Sequence, residues 1–144
     1  MKKNNVLPKV GSIWLVSGCL VGLKTRYDGE CNASPACLQF LADKNWIPVC
    51  PEQLGGLTTP RSPATFVGGD GKDVINGVAS LITDAGDDVR DAFIEGAQQV
   101  FKICKLQDIA GMCVKARSPS CGLHEILGVT SAYLLNKGVM LKEF

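Results

Sequence analysis

The sequence predicts an α/β domain: an open, mostly parallel sheet of about four strands flanked by helices, with a small antiparallel ribbon inserted around residues 64–83. Three observations lead there. Short apolar runs at 12–18, 46–50 and 109–116 read as strands, and the first is apolar on both faces, as a central strand covered by helices must be. Stretches with apolar residues at helical spacing alternate with these runs, which is the pattern of parallel strands joined by right-handed crossovers. Each strand also ends in or leads to a cysteine: Cys19, Cys50, and Cys121 in the turn after the third.

Taken in order, residues 1–10 read as a loose tail and 11–144 as a single domain. After the strand at 12–18 comes a loop through Gly22 and Lys24-Thr25-Arg26-Tyr27-Asp28-Gly29. Asn32 is a candidate N-cap for a helix carrying Ala33, Cys37, Phe40 and Leu41 on one face. The second strand ends at Cys50, before turn chemistry at 51–63. Gly69-Asp70-Gly71 and Asn76-Gly77 are hairpin signals, which predict a ribbon or flap over 64–83. The longest helix is expected to start at 86–88, where Asp87, Asp88 and Asp91 favour its positive end. Its buried stripe is Val89, Ala92, Phe93, Ala97, Val100, Phe101 and Cys104. A strand at 109–116, a short helix at 130–137 closed by Gly138, and an edge strand at 139–141 complete the chain.

With 144 residues, 46% apolar and 20% charged, the chain has the size and composition of one globular domain. A domain of that length buries roughly 68–70% of its unfolded surface without covalent staples. The formal net charge of +1 offers no field for a nucleic-acid polymer or an anionic membrane. No run reaches the ~18 apolar residues of a membrane span. Lys2, Lys3 and the VSGC at 16–19 imitate an exported lipoprotein, but Pro8, Lys9 and Gly11 interrupt the apolar core such a signal needs. A cytoplasmic protein is expected; nothing in the sequence fixes its oligomeric state.

Seven cysteines (19, 31, 37, 50, 104, 113, 121) cannot all pair, form no CxxC, and are accompanied by one histidine. A reducing compartment with some thiols ligating metal fits better than a disulfide scaffold. In an open sheet the C-terminal strand ends form one rim, so Cys19, Cys50 and Cys121 converge there. Helix N-termini follow such strand ends and should lower thiol pKa. Three thiolates suit a soft metal centre, foremost an iron–sulfur cluster. A 4Fe-4S cube held by three cysteines keeps one iron open as a Lewis acid. The plainer alternative is that all three are small buried hydrophobes. Core packing is the reading for Cys37, Cys104 and Cys113, and Cys31 lies in a loop.

Glu52, two residues past Cys50, is a candidate general base, or else an exposed loop carboxylate. Ser118 either touches substrate or cluster, or caps the turn. Arg61 and Arg117 each open an Arg-Ser-Pro triplet and are possible contacts for an anion or substrate, or surface pairs to carboxylates. His124 as a fourth ligand would close the site and is disfavoured.

Five blocks occur in order: VSGC at 16–19, RYDG at 26–29, PVCPEQLGGL at 48–57, TPR at 59–61 and KARSPSCG at 115–122. Together they resemble the thiouracil desulfidase family, an iron–sulfur domain formerly of unknown function, from about residue 12 to the end. The resemblance implies a 4Fe-4S cluster on Cys19, Cys50 and Cys121, and non-redox removal of sulfur from a small thiolated substrate such as 2-thiouracil. It also implies catalytic roles for Glu52 and Ser118. No flavin or nicotinamide is implied. The alternatives are a non-catalytic cluster-binding module and a metal-free thiol redox protein. Family members often carry a longer, Gly-rich segment after the SCG turn, and some carry an extra C-terminal domain. Here only eight positions separate Cys121 from Val129, so part of the rim is expected to be missing or rebuilt.

Overall fold

A computed structural model describes residues 12–144, and the tail expected over 1–10 lies outside the described residues. The elements are β1 (Ile13–Ser17), α1 (Pro35–Leu41), β2 (Asn45–Val49), α2 (Pro51–Leu54), β3 (Ala64–Val67), α3 (Gly71–Ile75), β4 (Ser80–Thr83), α4 (Arg90–Leu106), β5 (Ile109–Val114), α5 (Val129–Asn136) and β6 (Leu141–Glu143). Four strands form a parallel sheet in the order β2-β1-β5-β6, and β3 pairs antiparallel with β4.

Burial follows that order. The central strands β1 and β5 are almost wholly buried, whereas β2 and β6 are partly exposed edges. Side chains alternate across the sheet. Leu15, Met112 and Val114 enter a core with Val100 and Leu134 from α4 and α5. Trp14, Val16 and Cys113 enter a second core with Cys37 and Leu41 from α1. Helices therefore cover both faces, which is why β1 and β5 read as continuous apolar runs. Gly111 makes room for the Trp14 ring, which a Cβ there would strike. The ribbon and α3 form a third core, with Val74 and Leu81 packed on Phe93 and Ala97.

Several boundaries depart from the sequence reading. The first helix is capped by Ser34, whose hydroxyl accepts from Cys37 N–H, not by Asn32; Pro35 at the first helical position fixes the start. The two ribbon strands are joined by α3 rather than by tight hairpin turns. Asp70 accepts from the N–H groups of Lys72 and Asp73, and Asp73 returns the bond in a capping box. Helix α4 begins at Arg90 because residue 88 still bridges to Ile82. Its buried stripe is Phe93, Gly96, Ala97 and Val100. The third long strand stops at Val114, and the edge strand lies at Leu141–Glu143, with Val139 buried before it.

Candidate functional site

The strand order reverses between β1, whose connection leads out to β2, and β5, whose connection leads out to β6. Ligands of open parallel sheets bind outside the strand ends at such a switch point. A cavity of 440 Å³ opens there, lined among others by Ser17, Cys19, Cys50, Glu52, Arg61 and Ser120.

Local chemistry fixes each side chain. Cys19 lies on the 3₁₀ turn Gly18–Val21 that follows β1 directly. Cys50 is the N-cap of α2, with Pro51 at the first helical position, and its thiol donates to Thr25 O at 3.8 Å. The α2 turn is seated on α4 backbone to backbone. A Cβ at Gly55 would collide with Ala92 O, and one at Gly96 with Pro51 O. Cys121 is only 1% exposed. Its loop leaves β5 through Arg117, whose φ of 62° is rare for a residue with a side chain. Ser118 Oγ then accepts from the N–H groups of Ser120 and Cys121. The N-terminus of α5 holds the same loop: Val129 N donates to Pro119 O, and Thr130 and Ser131 N donate to Ser120 O. The Ser131 hydroxyl donates to Cys121 O at 2.7 Å.

These side chains form one hydrogen-bond network. Ser17 Oγ lies 3.7 Å from Cys121 Sγ and 3.8 Å from Cys19 Sγ. Ser120 Oγ lies 3.1 Å from Glu52 Oε2, 3.5 Å from Cys121 Sγ and 3.2 Å from Ser118 Oγ. Glu52 Oε1 accepts from Arg61 Nε at 2.9 Å. Arg61 spends its other donors on Thr25 O, Thr58 O and Thr59 Oγ1. It is a clamp on Glu52 and the neighbouring backbone.

The remaining candidates separate. Arg117 is an exposed rim residue, 3.9 Å from Glu125. His124 lines a neighbouring cavity and is not among the residues lining the thiol site. Cys37 and Cys113 are core residues, Cys104 is half-buried against the core, and Cys31 is exposed. The short segment 122–128 is held tightly: Leu123 and His124 N–H donate to Glu143 Oε2, and Leu127 O accepts from Gly71 N. Ser17 and Ser120 join the site although neither belongs to the candidates the sequence offers. Ser120 sits inside the RSPSCG turn, so its place beside Cys121 was the available signal; nothing local marks Ser17.

Electrostatics correct one expectation. Burial pushes the Cys121 thiol up to about 12, against hydrogen bonds from Ser120 and Ser17 that pull it down. Burial also raises Cys50, outweighing the N–H groups of Gln53 and Glu52 at the start of α2. Metal-free, both thiols are protonated, and a metal must displace those protons. Among the described residues no three His, Cys, Asp or Glu side chains gather to hold a single metal ion. The donors that Cys19, Cys50 and Cys121 offer are sulfurs with no imidazole beside them, a chemistry that suits iron–sulfur binding better than a single hard ion.

The sequence profile of a family described as 2-thiouracil desulfurase matches residues 14–143. The chain belongs to the 2-thiouracil desulfurase family. Membership places it among enzymes. A solved structure described as a 4Fe-4S-dependent thiouracil desulfidase, TudS, superposes with a TM-score of 0.75 at 30% identity, covering 92% of this chain and 90% of that one. The chain is also similar to an uncharacterised protein, YbbK of Bacillus subtilis (strain 168). It is 42% identical over 108 residues, 75% of this chain and 72% of its own length.

Proposed function

We propose that Cys19, Cys50 and Cys121 hold a 4Fe-4S cluster with one iron free of protein ligands, and that the enzyme removes sulfur from a small thiocarbonyl compound such as 2-thiouracil. One observation carries this reading. Cys19, Cys50 and Glu52 line one cavity, and Ser17 and Ser120 tie Cys121 into the same network. The family description and the likeness to TudS support it. When bound, such a cluster supplies a Lewis acid for the thiocarbonyl sulfur.

The reaction is a hydrolysis. Water adds to the thiocarbonyl carbon, the carbon–sulfur bond breaks, and a carbonyl compound and sulfide leave with no net electron transfer. Glu52 takes a proton from the attacking water. Arg61 and Ser120 hold its two oxygens from opposite sides, so its carboxylate enters the reaction already oriented. Ser118 braces the turn that presents Cys121 and extends the hydrogen-bond path to Glu52 through Ser120. Arg117, on the rim, faces anionic parts of a bound substrate; Arg61 acts through Glu52 instead.

Protein reconstituted without oxygen should hold about four iron and four acid-labile sulfide per chain, the content of one cube. It should convert 2-thiouracil to uracil with one sulfide per turnover. Cluster-loaded protein inert on every thiolated base tested would leave a non-catalytic cluster-binding module. No cluster, with a reversible disulfide among the three rim thiols, would leave a redox protein.

A further inference from the structure

Ser17 ends β1 where the neighbouring positions Leu15 and Val16 are apolar, and it is 6% exposed. A buried hydroxyl is destabilising unless it finds a partner. Among the described residues the partners of its hydroxyl are both sulfur: Cys121 Sγ, to which it donates at 3.7 Å, and Cys19 Sγ at 3.8 Å. Ser120 differs. Its single proton has a carboxylate oxygen at 3.1 Å and a sulfur at 3.5 Å, and the shorter, anionic acceptor wins. At Ser17 no oxygen competes.

We propose that Ser17 is a positioning and tuning residue whose hydroxyl donates its one proton to the sulfur of Cys121, with the sulfur of Cys19 the only other acceptor in reach among the described residues, and so lowers the electron donation of the bonded sulfur to the cluster. The inference rests on the cluster proposed above. Hydrogen bonds to ligating sulfurs are among the controls on cluster potential, because they stabilise the charge that accumulates on reduction. In a reaction without electron transfer the same polarisation serves sulfur abstraction, since a less electron-rich centre draws harder on a thiocarbonyl. The hydroxyl also lies between the turn that follows β1 and the loop that follows β5, within 3.8 Å of Cys19 Sγ and 3.7 Å of Cys121 Sγ.

The test compares wild type, Ser17→Ala, Ser17→Thr and Ser120→Ala after reconstitution without oxygen. Iron content, the visible spectrum and the reduction potential are read for each. With equal iron, Ser17→Ala should show a lower potential than wild type, Ser17→Thr should return towards it, and Ser120→Ala should shift it less than Ser17→Ala. If Ser17→Ala loses the cluster while Ser17→Thr keeps it, the donor role also stands. An unchanged potential in Ser17→Ala overturns the proposal and leaves the cluster reading intact. So does an equal shift, or equal loss of cluster, in Ser17→Ala and Ser17→Thr, which would mean that bulk rather than the hydroxyl matters. A wild-type protein that binds no iron overturns both.

Discussion

Arg61 Nε lies 2.9 Å from Glu52 Oε1, and the two side chains are only 8% and 14% exposed. A pair so enclosed escapes most solvent screening, and Arg61 is further fixed by two backbone carbonyls and a threonine hydroxyl. Removing one partner leaves the other charge uncompensated. Arg61→Gln should therefore cost about 3–5 kcal/mol, read from the urea midpoint. Arg61→Lys keeps the charge and loses the planar fork, so its loss should be smaller but not zero. Equal stability of all three proteins would show that the pair is merely a surface contact.

Glu52 and Ser118 are expected to fail differently. Glu52→Gln keeps the shape of the side chain and removes the base, so turnover should fall about 10²–10⁴-fold with cluster content unchanged. Ser118→Ala removes the acceptor for two N–H groups in the Cys121 turn. It should cost about 1–2 kcal/mol and reduce iron retention as well as rate. Iron assays beside the kinetics separate the two outcomes.

Cysteine-to-alanine substitution should sort the seven thiols. Cys19→Ala, Cys50→Ala and Cys121→Ala should each lose iron on anaerobic reconstitution. Cys31→Ala, in an exposed loop, should keep the full complement. Retention of a full cluster by any of the first three would remove that residue from the ligand set.

Gly96 on α4 governs a residue it does not touch. An added Cβ would strike Pro51 O, so Gly96→Ala should push α2, with Cys50 and Glu52, away from α4. Overpacking of this kind costs about 1–3 kcal/mol. Loss of iron binding out of proportion to the loss of stability, measured by denaturation beside iron content, would confirm that backbone contact positions the site.

Cys113 gives a pH signature. Burial first, then the neighbouring Cys37 thiol, pushes it from the ordinary value of 9.0 up to about 12. The folded protein thus holds this proton more tightly than the unfolded chain. Its contribution is complete below pH 9 and is lost as pH rises from 9 towards 12, with a slope of at most about 1.4 kcal/mol per pH unit. Cys113→Ala should flatten the fall in urea stability between pH 9 and 10.5. An unaltered slope would assign the alkaline loss to other groups.

The layout is written in the apolar runs. Runs apolar on both faces demanded covered parallel strands, and parallel strands demanded crossovers, so Cys19, Cys50 and Cys121 had to share a rim. Helix starts were less legible. Gly69-Asp70-Gly71 has the chemistry of a turn and of a helix N-cap alike, and only packing of Val74 against Leu81 and Phe93 selects the helix. Asn32 and Ser34 are both good cap residues, and the choice depends on which one reaches Cys37 N–H. The wiring of the rim emerges only on folding. Ser17 and Cys121 are 104 positions apart, and Ser120 and Glu52 are 68 apart. Periodicity and motif spacing report on neighbours along the chain, whereas these hydrogen bonds follow from which strands lie side by side and how their loops turn back over the strand ends.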